Sequence, residues 1–147
     1  MTERSAEIML IEEDPGRASL TRQALLQSGM NASCSIFSEP VEALAHLAWL
    51  DKRGARKPRL ILIDSSDSRP SHGSVLQALK ADAQLKHIPV LVLASSAQRE
   101  DVLKAYDMWA NCYIPKPECL EEFAAMLRTI ESFWLSVARL PGEEVRF

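Results

Sequence analysis

Apolar residues run along this chain in short unbroken blocks separated by amphipathic stretches. The clearest block is Leu60, Ile61, Leu62 and Ile63, which ends in Asp64 and passes into the polar run Ser65, Ser66, Asp67, Ser68. So short and continuous a run fits a strand buried on both faces, as in a parallel sheet covered by helices. Glu7 to Ile11 and Ile88 to Leu93 repeat the pattern, and Cys34 to Phe37 and Cys112 to Ile114 predict two shorter strands. Between them the spacing predicts helices over Gly16 to Ser28, Glu39 to Leu50, Val75 to Ala83, Ala97 to Trp109, and about Glu118 to Arg139. Asp14 with Pro15 suits the start of the first helix, and Gly29 suits its end. The second helix spaces Val41, Leu44, Ala45 and Ala48 as an apolar face.

The last helix carries two apolar stripes. Leu120, Phe123, Leu127, Ile130, Trp134 and Val137 recur in steps of three and four, enough to cover a sheet. Cys119, Met126, Phe133 and Leu140 recur every seven residues beside them. The second stripe needs another cover, and the expectation is a homodimer through this helix face.

Five strands alternating with five helices predict an α/β fold, a doubly wound sandwich on one parallel sheet. Right-handed crossovers bring every strand exit to one edge, where open α/β folds bind ligands. That edge collects Glu12, Glu13, Asp64, Ser95 and Lys116.

Length and composition narrow the class. The chain has 147 residues, which fits one domain with a real core. The net charge of −3 includes no concentrated basic block, so nothing favours nucleic acid or an anionic membrane. The basic segment from Lys52 to Arg59 is short, contains Gly54 and Pro58, and reads as a solvated loop. Cys34, Cys112 and Cys119 form no C-x-x-C pair and suggest reduced thiols in a cytosol. The apolar runs are too short to span a bilayer, so the expected location is cytoplasmic.

Three acids at one strand exit, Glu12, Glu13 and Asp14, repel one another unless a cation or a helix N-terminus compensates. Capping the first helix accounts for Asp14 and leaves Glu12 and Glu13. Carboxylates gathered with no nearby His or Cys favour a hard divalent cation, Mg2+ in a cell. Together with the Lys116 ammonium it would neutralise the oxygens of a phosphoryl group. Asp64 could then attack phosphorus and form an aspartyl phosphate. Each residue also has a plain reading, as a turn acid, a surface lysine or a helix-start serine; their meeting on one edge is much less common than any one of them.

The order of acidic pair, strand-terminal Asp, hydroxyl after the fourth strand and Lys-Pro after the fifth resembles the receiver domain of bacterial response regulators. The resemblance spans the chain. The segments EPVEALAHL, IPVLVLASS, AYDMWANCYIPKP and ESFWLSVARLP further resemble the stand-alone receivers that serve bacterial phytochromes and related sensor histidine kinases. It implies a flavodoxin-like (βα)5 fold, with residues 1–147 as one receiver and no output domain. It makes Asp64 the phosphoacceptor, Lys116 the phosphate-binding lysine and Tyr113 the switch aromatic. Glu12 and Glu13 fall on the acidic pair, and Ser66 offers its backbone carbonyl to the metal. The Lys116–Pro117 bond is often cis in this family, and the long final helix resembles a dimerising extension. The implied partner is a sensor histidine kinase, a bacterial phytochrome among the candidates.

Three departures touch the site. Counting from Pro89, the switch Thr or Ser falls on Ala94, which has no hydroxyl, and Ser95 follows one place later. A one-residue shift reverses the face, so Ser95 substitutes only where the strand ends early. Glu13 stands where Asp is usual, and the loop SSDSRPSHG after Asp64 is a residue longer than the family's. The preferred reading is a single-domain response regulator that takes a phosphoryl group from a sensor kinase on Asp64 and signals through protein contacts; these changes favour a rival, a pseudo-receiver adaptor or dimer that works without phosphorylation, and Asp64 with Lys116 argues against it. A haloacid-dehalogenase-like phosphohydrolase ranks far behind, because it needs a second Asp where Ser66 stands. His46, His72 and His87 read as surface or packing residues, and Trp49, Trp109 and Trp134 as core or interface.

Overall fold

The computed structural model describes residues 7–64, 70–95 and 97–141, and Ser66 lies outside them, as does the side chain of His72. Five strands, β1 (Ile8–Ile11), β2 (Cys34–Phe37), β3 (Leu60–Asp64), β4 (Val90–Ala94) and β5 (Cys112–Pro115), form one parallel sheet in the order β2-β1-β3-β4-β5. They alternate with α1 (Pro15–Ser28), α2 (Pro40–Lys52), α3 (Pro70–Ala81), α4 (Arg99–Asp107) and α5 (Leu120–Ile130). This is the doubly wound sandwich that the runs and their spacing predict, in the flavodoxin-like form that the resemblance implies.

Strand alternation divides the core in two. Met9, Ile11, Ile61, Ile63, Val90 and Val92 face α2, α3 and α4, where Ala43, Leu47, Val75, Leu76, Leu79 and Ala105 meet them. Ile8, Leu10, Leu60, Leu62, Leu91 and Leu93 face the other side, against Ala24 of α1 and Phe123, Leu127 and Ile130 of α5. Burying each of these Leu or Ile side chains is worth about 1.5–3 kcal/mol, so the central strands hold their ends firmly.

Local chemistry sets the helix ends. The Asp14 carboxylate accepts from the Arg17 N–H at 3.1 Å, Pro15 opens α1, and Gly29 closes it at φ 70°. On the β5 edge, the Tyr113 N–H donates to Tyr106 Oη at 3.2 Å, and Pro115 has no N–H to offer. Both blunt an edge that would otherwise recruit another strand.

Several boundaries depart from the sequence pattern. In α2 the buried face is Pro40, Ala43, Leu47 and Leu50, while Val41 is 77% exposed and Ala45 and Ala48 face solvent. The helix is rotated toward its small residue Ala43, which lets it approach the sheet. Helix α3 begins at Pro70, a turn before Val75, because proline suits a first helical turn. Strand β4 starts at Val90 and continues through Ala94, so it does not end early and Ser95 lies beyond it, exposed.

The last helix changes character: α5 gives way to a π-helical segment, Glu131–Val137. Bonding i→i+5 retards the rotation, so extrapolated α-helical spacing fails there. Val137 is 69% exposed, whereas Leu135 and Trp134 pack on the α5 side of the core and Leu140 is buried. Phe133 is 50% exposed and Met126 half-buried, so part of the second stripe is already covered within the chain. Arg59 reaches this segment from the loop before β3, its guanidinium donating to the Leu135 carbonyl and pairing with Glu7. The Lys116–Pro117 peptide is trans, the form X-Pro bonds prefer by about 0.5–1 kcal/mol.

The turn after α4 is a Schellman motif. The Ala110 N–H donates to the Ala105 carbonyl at 3.1 Å and the Trp109 N–H to Tyr106 at 3.0 Å. Glycine usually fills the left-handed position, yet here it is Trp109, at φ 71° and 75% exposed. Holding a bulky L-residue there costs about 1–2 kcal/mol that burial does not return. Trp109→Gly is therefore expected to raise unfolding free energy by about 1 kcal/mol, and Trp109→Ala to leave it nearly unchanged. Urea denaturation of the three proteins tests this, and a Gly variant less stable than wild type would refute the assignment of strain.

Candidate functional site at the carboxyl edge of the sheet

The ends of β1, β3 and β5 bring Glu12, Asp64 and Lys116 together. Asp64 is 1% exposed at the last position of β3, paired in register with Leu93. Lys116 follows β5 directly; its N–H donates to the Ala94 carbonyl at 2.6 Å, extending the β5 ladder by one residue. The side chain crosses the end of β4 to reach Asp64, with Nζ 2.5 Å from Oδ2. Strands lie about 4.8 Å apart, so spanning from β5 to β3 takes a long side chain. The same ammonium lies 5.5 Å from the centroid of the Phe123 ring, in the first turn of α5.

Glu12 is only 2% exposed. Its N–H donates to the Phe37 carbonyl, and its Oε1 accepts from the Asp14 N–H at 2.9 Å. Its other oxygen, Oε2, is buried beside Asp64: as a carboxylate it finds no donor, and only the protonated acid can donate to the Asp64 carboxylate. Burial pushes the Glu12 carboxyl up to about 8, helped by contact with the Asp64 carboxyl and by its charge; the Asp14 N–H and the Lys116 ammonium pull the other way. One ammonium cannot balance two buried carboxylates, so the second holds a proton near neutrality.

Glu13 shares the alternation of Met9 and Ile11 rather than that of Glu12. It lines a crevice of about 480 Å³ with Ser38, Glu39, Pro40, Val41, Leu44, Ser74 and Val75. Among the described residues, no three His, Cys, Asp or Glu side chains converge as a metal cage. Glu12 and Asp64 nevertheless offer oxygen donors alone, and Glu12 Oε2, which as a carboxylate oxygen finds no donor, is the kind of atom a hard cation satisfies. The chemistry of this pair fits a divalent metal.

Ala94 is buried at the end of β4, on the face of Val90 and Val92, and Tyr113 packs against that same core. No side-chain hydroxyl stands at position 94. The remaining residues with candidate chemistry lie elsewhere. His46 stacks between Phe37 and Trp49, His87 is exposed, and Arg53 covers the Trp49 ring at 4.5 Å. The three cysteines are free thiols, and burial pushes that of Cys34 up to about 11. The sequence reading assigned Phe123 only to covering the sheet; its place seven residues after Lys116, in the next helix's first turn, was the available signal.

A doubly wound sheet with a buried Asp at the end of its central strand, an acid beside it and a Lys-Pro after its last strand defines a receiver domain. The chain belongs to the response regulator family: Response regulator Rcp1 of Synechocystis sp. is 33% identical over 139 residues, spanning 92% of each chain. The phosphorylated cyanobacterial phytochrome response regulator RcpA superposes with a TM-score of 0.77 at 34% identity, covering 93% of this chain and 99% of that one. A Mn(2+)-bound form of Rcp1 does so with a TM-score of 0.73 at 30% identity, covering 94% and 100%. No family model matches the chain. Among the described residues no helix is long and apolar enough to cross a membrane.

The raised Glu12 carboxyl carries a pH dependence. Between the ordinary carboxylate range and about 8, the folded protein keeps a proton that the unfolded chain has lost. Stability from this group is present at low pH and is lost as pH rises through that window. In chelator, the melting temperature is expected to fall between pH 6 and 8.5, and Glu12→Gln to flatten that fall. A wild-type profile no steeper than that of Glu12→Gln would count against it.

Proposed function

We propose that the chain is a single-domain response regulator that accepts a phosphoryl group from the histidine of a sensor kinase on Asp64. The observation that carries this is the Lys116 ammonium held against the buried Asp64 carboxylate at the ligand-binding edge of the sheet. An Asp64 oxygen bonds to phosphorus as the P–N bond of the phosphohistidine breaks, and the departing imidazole takes up a proton. The product is an acyl phosphate, and Lys116 is in place to turn from the carboxylate to the new phosphoryl oxygens. Mg2+ held by Glu12 and Asp64, with Glu13 close in sequence and the Ser66 backbone carbonyl, would supply positive charge against those oxygens.

The signal then passes through protein contacts, in the cytoplasm. RcpA is a phytochrome response regulator by name, which supports a phytochrome-type kinase as the partner. The exposed Phe133 and Val137 support a homodimer through the C-terminal helix.

A second reading, the pseudo-receiver adaptor, is favoured by Ala94. With a methyl group in place of a hydroxyl, the side chain at position 94 offers no hydrogen bond to a phosphoryl group on Asp64. In the first reading the same substitution makes the coupling between phosphorylation and the Tyr113 face weak; in the second the fold serves as an adaptor without phosphorylation.

Magnesium-dependent labelling of the purified chain by acetyl phosphate, beside Asp64→Asn, tests the first reading. Label on wild type and none on the variant is expected; folded protein that takes no label from acetyl phosphate or from any histidine kinase would favour the adaptor. On the labelled protein, hydrogen exchange around Trp109 and Tyr113 is expected to change little, and Ala94→Thr to enlarge the change. A full response in wild type would overturn the weak coupling.

A further inference from the structure

The Lys116 side chain is 14% exposed, and its ammonium lies against the Asp64 carboxylate and over the Phe123 ring, 5.5 Å from its centroid. Phe123 is itself 6% exposed, fixed among Leu127, Ile130 and the sheet residues of the α5 face. Its N–H donates to the Cys119 carbonyl at 2.9 Å, which locks the first turn of α5. The ring therefore has little freedom to move, and an ammonium within about 6 Å of an aromatic centroid is drawn to its negative face. A lysine is otherwise free to swing through several rotamers, at a cost in entropy whenever it must hold one geometry.

We propose that Phe123 is a positioning residue for Lys116. Its ring holds the ammonium at the edge of the sheet, and supports it while it passes from Asp64 to the phosphoryl group. The proposal deepens the phosphoacceptor reading and rests on it. An aliphatic residue of like size would fill the space and cover the sheet equally well, but would leave the ammonium without that support.

Two measurements on the full chain test it. The first is the rate of magnesium-dependent labelling by acetyl phosphate in wild type, Phe123→Leu and Phe123→Tyr. Phe123→Leu is expected to slow labelling about three-fold, in line with the usual strength of a cation–π contact, and Phe123→Tyr to restore it. Labelling of Phe123→Leu at the wild-type rate would overturn the proposal, as would an equal slowing in Phe123→Tyr. The second is a double-mutant cycle in urea with Lys116→Met, Phe123→Leu and their combination. Midpoint shifts smaller together than the sum of the two apart are expected, and strict additivity would overturn it. Should Phe123→Leu not fold, Phe123→Met takes its place in both. The cycle needs no phosphorylation, so a wild-type chain that fails to label sinks the phosphoacceptor reading while the cycle still judges the contact.

Discussion

Two carboxylates are buried at the same end of one sheet, and among the described residues the Lys116 ammonium is paired with one of them. Taking one such ion out of water costs several kcal/mol even after relaxation. Two unit charges about 4 Å apart interact by about 4 kcal/mol at the effective dielectric of a protein near its surface. Lys116 offsets one of these charges, and Glu12 meets the remainder by retaining a proton up to about pH 8. The apolar strands make this arrangement sustainable. Ile8 to Ile11 and Leu60 to Ile63 are almost wholly buried, and their packing fixes where β1 and β3 end. The acids are carried to the edge by residues that have no alternative to burial.

The strand order then dictates which side chain can answer them. Strand β4 lies between β3 and β5, so a cation on β5 has to reach across a whole strand. Lysine has the length, and its side chain crosses on the α5 face, opposite to the face on which Ala94 lies. Glu12 and Asp64 continue the alternation of Leu10 and Leu62, which face α1 and α5, so the first turn of α5 comes to lie beneath the ammonium. Helix α5 thus belongs to the site as well as to the core. The opposite alternation takes Glu13 to the crevice beside α2 and α3, although it is the next residue in the chain.

The parts of the fold legible in the sequence are those where one physical signal acts alone. Strands β2 and β3 and both ends of α1 follow directly from apolar runs, a capping Asp and a left-handed Gly. The buried face of α2 was not legible, because ranking by hydropathy favours Val41 while close packing favours Ala43. The π-helical turn escaped because a regular spacing is assumed in any periodic reading, and a change of hydrogen-bond pattern has no compositional mark. For the site, Asp64 and Lys116 were legible as chemistry at strand ends. Glu12 and Glu13 read alike, and only their opposite strand parity separates the buried carboxyl beside Asp64 from its neighbour. Phe123 was hidden by its usefulness to the core, which explains an apolar residue at that position without reference to Lys116.

The far side of the sheet places a second demand on the proposed function. A receiver has to convert a change at Asp64 into a change on its surface, and here the nearest link, a hydroxyl at position 94, is a methyl group. On that side the Tyr113 N–H is tied to Tyr106, and the turn after α4 holds Trp109 in a left-handed conformation. Neither feature adds to burial, and the second subtracts from stability. Glycine would hold that turn at lower cost, so the exposed Trp109 is kept there at the expense of stability. On the proposed function, a change at Asp64 therefore meets a methyl group at position 94 and a Tyr113 backbone already tied to Tyr106, and little of it is passed to that face.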